Sequence, residues 1–467
     1  MKRYEDLAEH VASLIANGAL RPGDRLPSVR ELRRDRGVSP ATVTHAYQLL
    51  EARGLIETRP QSGHYVSDRL EPRPAAASRA RSARATKVDV SELVFEILDS
   101  VREHRVVPFG SAFPSPMLFP WRTLARHLGG AARKMNPWST VESLPPGSLE
   151  LRRQIARRYL RFGGRVLPDE IVITNGAMEA LHLSLQSLTK PGDAVAIESP
   201  SFYACLQAVE SLGLKAVEIP THPREGVELG PLERAIDTHK VRACWFMTSF
   251  QNPLGATMPD EKKRDLVRLL ASRDVPLIED DVYSELYFGS RRPRAAKSFD
   301  DRGIVLHCGS FSKCLAPGYR LGWVAAGRFA RDVQRRKVMS SLATSIPVQD
   351  AIADVLRHET YDAHLKKLRG ALAAQQQSLL ASVRRHFPGH RVTEPEGGYF
   401  VWLELPPGVD SLDLHRRALK HGISIAPGPI FSPRREYRNC VRLNYGHPWN
   451  AELDRAVRQV ARLSTAL

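Results

Sequence analysis

Lys313 lies in the run Ser310-Phe311-Ser312-Lys313-Cys314-Leu315-Ala316-Pro317-Gly318-Tyr319-Arg320, with hydroxyls before it and a fixed cation seven residues on. An amine so placed suits a Schiff base to an aldehyde cofactor that also carries a phosphate dianion. Ser310, Ser312 and Arg320 would neutralise that phosphate through charge-assisted hydrogen bonds. Upstream segments supply complementary parts. Asn175-Gly176-Ala177-Met178-Glu179 is a glycine-bearing turn entering a helix, which aims backbone N–H groups and a positive dipole end at a phosphate. Phe202 offers a face on which a planar heterocycle can stack, and Asn252, in a proline-fixed turn, can donate to a phenolic ring oxygen. A buried Asp280 would keep a pyridine nitrogen protonated, making the ring an electron sink, while Tyr283 shares the ring hydroxyl. Each residue alone has a plain alternative: Asp280 a helix N-cap, Phe202 a core aromatic, Lys313 a surface lysine. Their joint occurrence in one order along the chain argues for a cofactor site.

Each of these segments follows a short apolar run: Glu170–Thr174, Ala194–Glu198, Ala243–Met247 and Pro276–Asp280. Near-continuous apolar strands alternating with helical stretches imply an α/β domain with a mostly parallel sheet buried on both faces. Ligands of such sheets gather beyond the strand ends.

The chain has 467 residues, so two or three folding units are expected. With 42% apolar and 25% charged residues, and no apolar run near the roughly 18 residues that span a bilayer, the composition predicts a soluble protein. The N-terminus Met1-Lys2-Arg3-Tyr4-Glu5-Asp6 lacks an apolar signal region, which predicts a cytoplasmic location. Five cysteines form no CxxC pair and are odd in number, so neither a metal site nor a disulfide framework is expected. The net charge of +17 favours a polyanionic partner, although an Arg-rich composition alone proves little.

The first seventy residues have a different texture. Leu7, Ala8, Val11, Leu14 and Ile15 fall at helical spacing before Gly18. Ser28 and Glu31 are placed as a reciprocal capping box for a second helix that Gly37 closes. Ser39-Pro40 then opens a third helix, whose inner face is Val43, Tyr47 and Leu50 and whose outer face carries Ala41, Thr42, Thr44, His45 and Gln48. Leu55–Arg59 and His64–Val66 read as two strands joined by Pro60-Gln61-Ser62-Gly63, a wing. Residues 69–88 are rich in Ala, Arg, Pro and Ser without periodicity and read as a flexible basic linker.

Residues 1–68 resemble the winged helix of the GntR regulator family, through Leu26-Pro27-Ser28-Val29-Arg30 and Gly54-Leu55-Ile56. Residues 89–467 look like a class I/II aminotransferase of fold type I, with a smaller α+β subdomain over 331–467, and the fusion resembles the MocR subfamily of transcriptional regulators. The resemblance implies pyridoxal 5′-phosphate as cofactor, with Lys313 as internal aldimine, Asp280 on the pyridine nitrogen, and Asn252 and Tyr283 on the ring hydroxyl. It implies Phe202 for stacking and Gly176, Ala177, Met178, Ser310, Ser312 and Arg320 for the phosphate. Arg442, in Val441-Arg442-Leu443-Asn444-Tyr445, matches the arginine that grips a substrate α-carboxylate, with Gly110 and Tyr399 in segments lining the same pocket.

Two positions depart from the family pattern. A tyrosine commonly reaches the neighbouring subunit's phosphate where this chain has Glu142, which puts that cross-subunit contact in doubt. Where many GntR members carry arginine after the N-cap serine, this chain has Pro40-Ala41, so base readout is expected from Thr42, Thr44, His45 or the wing at Gly63, with Arg30, Ser39 and Arg59 on the backbone. The expected function is a homodimeric, DNA-binding regulator that senses pyridoxal phosphate or an amino compound through an external aldimine. The rival reading is a working aminotransferase with an accessory DNA-binding head.

Overall fold

The computed structural model describes residues 3–16, 20, 23–52, 55–59, 62–67, 85–99, 106–358 and 360–465. Gly18, Gly54, Pro60-Gln61 and linker residues 69–84 lie outside the described residues, as does the side chain of Glu142.

The N-terminal unit is three helices and a hairpin. Helix Arg3–Ala16 buries Leu7, Ala8, Val11 and Ile15, while Leu14 is half-buried. Helix Val29–Arg36 begins in the expected capping box: Ser28 N–H donates to Glu31 Oε2 at 2.7 Å and Glu31 N–H to Ser28 Oγ at 3.3 Å. Gly37 ends it with φ 63°, a left-handed conformation that glycine adopts without steric penalty. Helix Pro40–Ala52 turns Val43, Ala46, Tyr47 and Leu50 inward, and the Tyr47 hydroxyl donates to the Pro27 carbonyl at 2.7 Å, tying the third helix to the segment that leads into the second. Strands Ile56–Arg59 and Gly63–Val66 pair antiparallel as the wing.

The C-terminal unit is organised by a nine-stranded sheet. Strands Lys215–His222, Ala194–Ser199, Ala243–Phe246, Leu277–Asp280 and Val305–Ser310 run parallel, in that spatial order. Beyond Val305–Ser310, strands Gly322–Ala325 and Ile171–Thr174 continue the sheet with antiparallel pairings. Along Ala194–Ile197, successive residues join two different apolar clusters: Val195 and Ile197 one, Ala194 and Ala196 the other. Both faces are therefore buried, as the unbroken apolar runs require.

Two expectations need correction. The last residues of the expected linker do not all lie free: Ala85–Lys87 pairs antiparallel with Lys215–Val217 at the sheet edge, and Val88 is buried. Helix Ala330–Ser340, expected in the small subdomain, packs on helix Ala177–Leu188 and strand Ile171–Thr174 and so covers the large sheet. The small sheet is built on Phe400–Glu404 paired antiparallel with Cys440–Asn444, with Ala426–Pro427 on the other side of the latter. Val107–Pro108 pairs in parallel with Ile423–Ser424, which lays the segment that follows against the end of strand Cys440–Asn444. No helix among the described residues is long and apolar enough to cross a membrane.

Candidate functional site

Strand ends bring the predicted cofactor residues together. Asp280 closes strand Leu277–Asp280 and is not a helix cap; Tyr283 stands three residues beyond it, at the start of a single 3-10 turn, Ser284–Leu286. Ser310 ends the neighbouring strand Val305–Ser310, and Lys313 lies in the loop just past it. Gly176 precedes helix Ala177–Leu188 with φ 84°. A Cβ there would come within 2.7 Å of the Arg320 guanidinium, so glycine is what lets this helix start lie against that cation. Arg320 donates to Ser312 Oγ at 3.3 Å, and Ser310 Oγ donates to Ser312 Oγ at 3.0 Å. Hydroxyls, guanidinium and the first turn at Ala177 and Met178 thus lie together in one cationic corner, of the kind that suits an anion.

The electrostatics of the pocket are lopsided. Lys313, Arg320 and Arg442 make no ion pair among the described residues, and Asp280 is the carboxylate whose charge acts on Lys313. Burial, reinforced by the Arg442 and Arg320 charges and opposed by Asp280, lowers the Lys313 ammonium to about 7. Its Nζ donates to the Ala112 carbonyl at 2.9 Å and lies 3.8 Å from the centre of the Phe113 ring. Burial raises Asp280 to about 7, with Asp281 adding to the effect and Lys313 and His307 opposing it; its Oδ1 has no hydrogen-bond partner. Asp281 behaves oppositely although burial pushes it the same way. His307 Nε2 at 2.9 Å, Arg292 at 3.4 Å and the Ser284 hydroxyl at 2.6 Å hold its carboxyl well below the usual range.

Arg442 is fully buried, with no carboxylate beside it among the described residues. Nη1 donates to Asn252 Oδ1 at 3.1 Å, and Nη2 to the carbonyls of Gly110 at 2.7 Å and Ser111 at 3.1 Å, while Nε is unpartnered. Its guanidinium lies over the Phe400 and Phe431 rings, 4.2 and 5.4 Å from their centres. A buried charge satisfied only by neutral oxygens is a strong receptor for an anion, because charge-assisted bonds are about twice as strong as neutral ones. Asn252 is itself buried, and its Nδ2 donor is unspent. Tyr399 donates its hydroxyl to the Ala112 carbonyl at 3.0 Å, and Tyr283 stands edge-on to the Tyr399 ring at 5.4 Å. Gly110 leaves no room for a side chain, since a Cβ would fall 2.8 Å from the Ile425 backbone. Phe202 is half-buried just before helix Tyr203–Ser211, its ring 4.7 Å from that of Tyr203.

The same geometry includes residues that motif reading did not single out. Glu198, at the end of strand Ala194–Ser199, is raised to about 8 by burial, with Asp280 adding and the Met247 N–H opposing. Burial also raises the Tyr203 phenol, partly offset by Arg442. Asn444 fixes the backbone around Gly110, and its place two residues after Arg442 on one strand, hence on the same sheet face, is the signal that could have revealed it.

In the N-terminal unit, Ser39, Thr44 and His45 are exposed on helix Pro40–Ala52 and Thr42 is half-buried. Ser39 Oγ caps the Thr42 N–H at 3.1 Å and exchanges a 2.8 Å hydrogen bond with its hydroxyl, and Thr44 donates to the Pro40 carbonyl at 3.0 Å. Arg30 is exposed on the second helix. Arg59 stays exposed, pairing with Glu57 at 2.7 Å and lying over Tyr65 at 4.5 Å. Arg25, just past the Gly23 turn, pairs its backbone antiparallel with Tyr65, and its guanidinium would be 3.5 Å from a Cβ at Gly63.

Residues 139–460 match the family model for aminotransferase class I and II, and residues 3–66 that for bacterial regulatory proteins of the gntR family. The chain belongs to the class I and II aminotransferases and carries a gntR-type head. The chain is 48% identical to YdcR of Escherichia coli, an uncharacterized HTH-type transcriptional regulator, over 99% of both chains. It is 30% identical to the 2-aminoadipate transaminase of Thermus thermophilus over 85% of its own length and 98% of the relative's. Its body is also similar to the crystal structure of a multiple substrate aminotransferase from Thermococcus profundus, with TM-score 0.75 and 28% identity, covering 81% of this chain and 95% of that one. A group with an aldehyde, a ring nitrogen, a phenolic oxygen and a phosphate fits the spare valences of this family member: a low-pKa amine, an unpartnered Asp280 oxygen, an unspent Asn252 amide and an uncompensated cationic corner. Pyridoxal phosphate is that group.

Proposed function

We propose that this chain is a DNA-binding transcriptional regulator whose state is set by pyridoxal phosphate at Lys313 and by an amino compound whose carboxylate is received at Arg442. The observation that carries the reading is the union, in one chain, of a capped helix-turn-helix head with a buried arginine that lacks a counterion beside a lysine lowered to about 7. The full-length similarity to an HTH-type regulator supports it. When bound, the cofactor supplies an aldehyde for amines and a ring that accepts charge. Lys313 offers it an amine, Asp280 holds a proton at the ring nitrogen, and Asn252 and Tyr283 donate to the ring oxygen. Phe202 stacks on the ring, and Gly176, Ala177, Met178, Ser310, Ser312 and Arg320 hold the phosphate.

In this reading residues 1–68 form the DNA reader, 69–88 connect it to the body, and 89–467 form the sensor, all in the cytoplasm. Thr42, Thr44, His45 and the wing at Gly63 face the bases; Arg30, Ser39 and Arg59 face the backbone, which requires Arg59 to leave Glu57. The protein acts as a homodimer reading two half-sites. Exposed Met135, Trp138 and Val141, at 48, 71 and 61% accessibility, give a second copy apolar surface to cover.

The complete set Lys313, Asp280 and Arg442 also equips a transaminase, a second reading favoured by the 2-aminoadipate transaminase relative. One experiment separates the two: gel-shift binding to the gene's own upstream DNA, with and without pyridoxal phosphate, beside steady-state transamination with a panel of amino and keto acids. A cofactor-responsive DNA shift is expected. Rapid multiple turnover with no DNA shift overturns the regulator reading.

A further inference from the structure

Four consecutive carbonyls, from Gly110 to Phe113, are held by side-chain donors of the site. Gly110 O accepts from Arg442 at 2.7 Å, and Ser111 O accepts from Arg442 at 3.1 Å and from Asn444 Nδ2 at 3.0 Å. Ala112 O accepts from Lys313 at 2.9 Å and Tyr399 at 3.0 Å, and Phe113 O accepts from Asn444 Nδ2 at 2.7 Å. Asn444 also gives its own N–H to the Phe109 carbonyl at 2.8 Å, and its Oδ1 accepts from the Gly446 N–H at 2.6 Å. The donors fall into two classes. Arg442 and Lys313 are the groups a ligand carboxylate and the cofactor aldehyde would claim, whereas Asn444, 1% exposed, has both ends of its side-chain amide engaged in the protein.

We propose that Asn444 is a positioning residue that keeps the Gly110–Phe113 strap ordered across the site when ligand takes Arg442 and Lys313 away from it. The proposal rests on the reading that Arg442 receives a carboxylate. A charged ligand oxygen outcompetes the neutral Gly110 and Ser111 carbonyls for the guanidinium. The Ser111 carbonyl then keeps the Asn444 amide, which also holds Phe113, and without it the ligand must order the strap as it binds, which weakens its binding. Asn444 touches none of the groups assigned to the cofactor, so cofactor loading is independent of it.

The test is hydrogen–deuterium exchange on the full-length, pyridoxal phosphate-loaded protein, comparing wild type with Asn444→Ala and with Asn444→Ser, which retains a short donor and guards against a folding defect in the first variant. Amides at Gly110 and Ser115, bonded to the Ser424 and Gly446 carbonyls at 2.9 and 2.7 Å, report on the strap. Their peptide is expected to exchange roughly tenfold or more faster in Asn444→Ala and by less in Asn444→Ser, as local opening becomes easier. The visible band of bound cofactor and exchange in helix Ala177–Leu188 stay unchanged. L-alanine, as a minimal carboxylate-bearing amine, is expected to perturb that band at about tenfold higher concentration in Asn444→Ala. Unchanged strap exchange in both variants, or equal L-alanine midpoints, overturns the proposal. A wild-type band indifferent to L-alanine counts against this amine as a ligand of the site, while the exchange result still decides the role of Asn444.

Discussion

On helix Pro40–Ala52 the side chains that face outward are set by neighbours three or four positions away: Ser39 holds Thr42, and Pro40 receives Thr44. Around Lys313 the partners are distant in sequence. Lys313 meets Ala112 across 201 positions, and Arg442 meets Gly110 across 332. The outward face of this helix is therefore held by local contacts over a shared core, whereas the pocket exists only when the whole body has folded. Single substitutions in the head are expected to act in small, additive steps. In the pocket they remove a function outright or shift several partners at once, because Arg442 and Asn444 each hold more than one partner.

The largest effect is expected at Lys313. Lys313→Ala removes the amine, so the visible band of bound cofactor disappears and borohydride reduction leaves no pyridoxyl group on the peptide carrying residue 313; a retained band breaks the assignment. Next comes Arg442→Lys, which keeps the charge but loses the planar fork that bonds Asn252 and the strap. Amino-compound binding should weaken by about 2–3 kcal/mol, roughly 30- to 150-fold, while the cofactor band persists. A spectral titration that is unchanged would remove Arg442 from the ligand site.

The depressed lysine gives a pH dependence with a definite sign. The reactive form of Lys313 is the neutral amine, present above about 7 and lost as pH falls through that value. The rate of cofactor uptake by the cofactor-free protein should fall by about tenfold per pH unit below 7 and level off above it. A profile that keeps rising to pH 10 would show an ordinary lysine. The smallest effect belongs to the head: Ser39→Ala removes the cap on Thr42 and should lower head stability by about 1 kcal/mol, read as a shift of its thermal transition with the cofactor band untouched. Loss of the cofactor band in that variant would contradict the local character of the Ser39 cap.

What the sequence disclosed follows the same division. The capping box at Ser28 and Glu31, the Gly37 stop and the Ser39-Pro40 start are local signals, and the head's helices follow them closely. Pocket residues with distinctive chemistry were legible because they sit at strand ends in a fixed order, as Asp280 and Lys313 do. The strap was not legible as a contact network, since its donors meet backbone carbonyls, which every residue type carries. Strand Ala85–Lys87 was hidden for a related reason: three residues at a sheet edge are too few to show alternation. The Arg59–Glu57 pair was not legible either, because nothing in the chain announces that two residues on one strand face would meet.

The most direct measurement is the affinity of the full-length protein for its own upstream DNA by fluorescence anisotropy, titrated with pyridoxal phosphate in wild type and in Lys313→Ala. Coupling between two sites in one molecule commonly changes affinity by about 5- to 150-fold. The expected result is a change in Kd of that order in wild type and none in Lys313→Ala. Identical Kd values with and without cofactor in wild type would contradict the claim that the pocket at Lys313 governs the head.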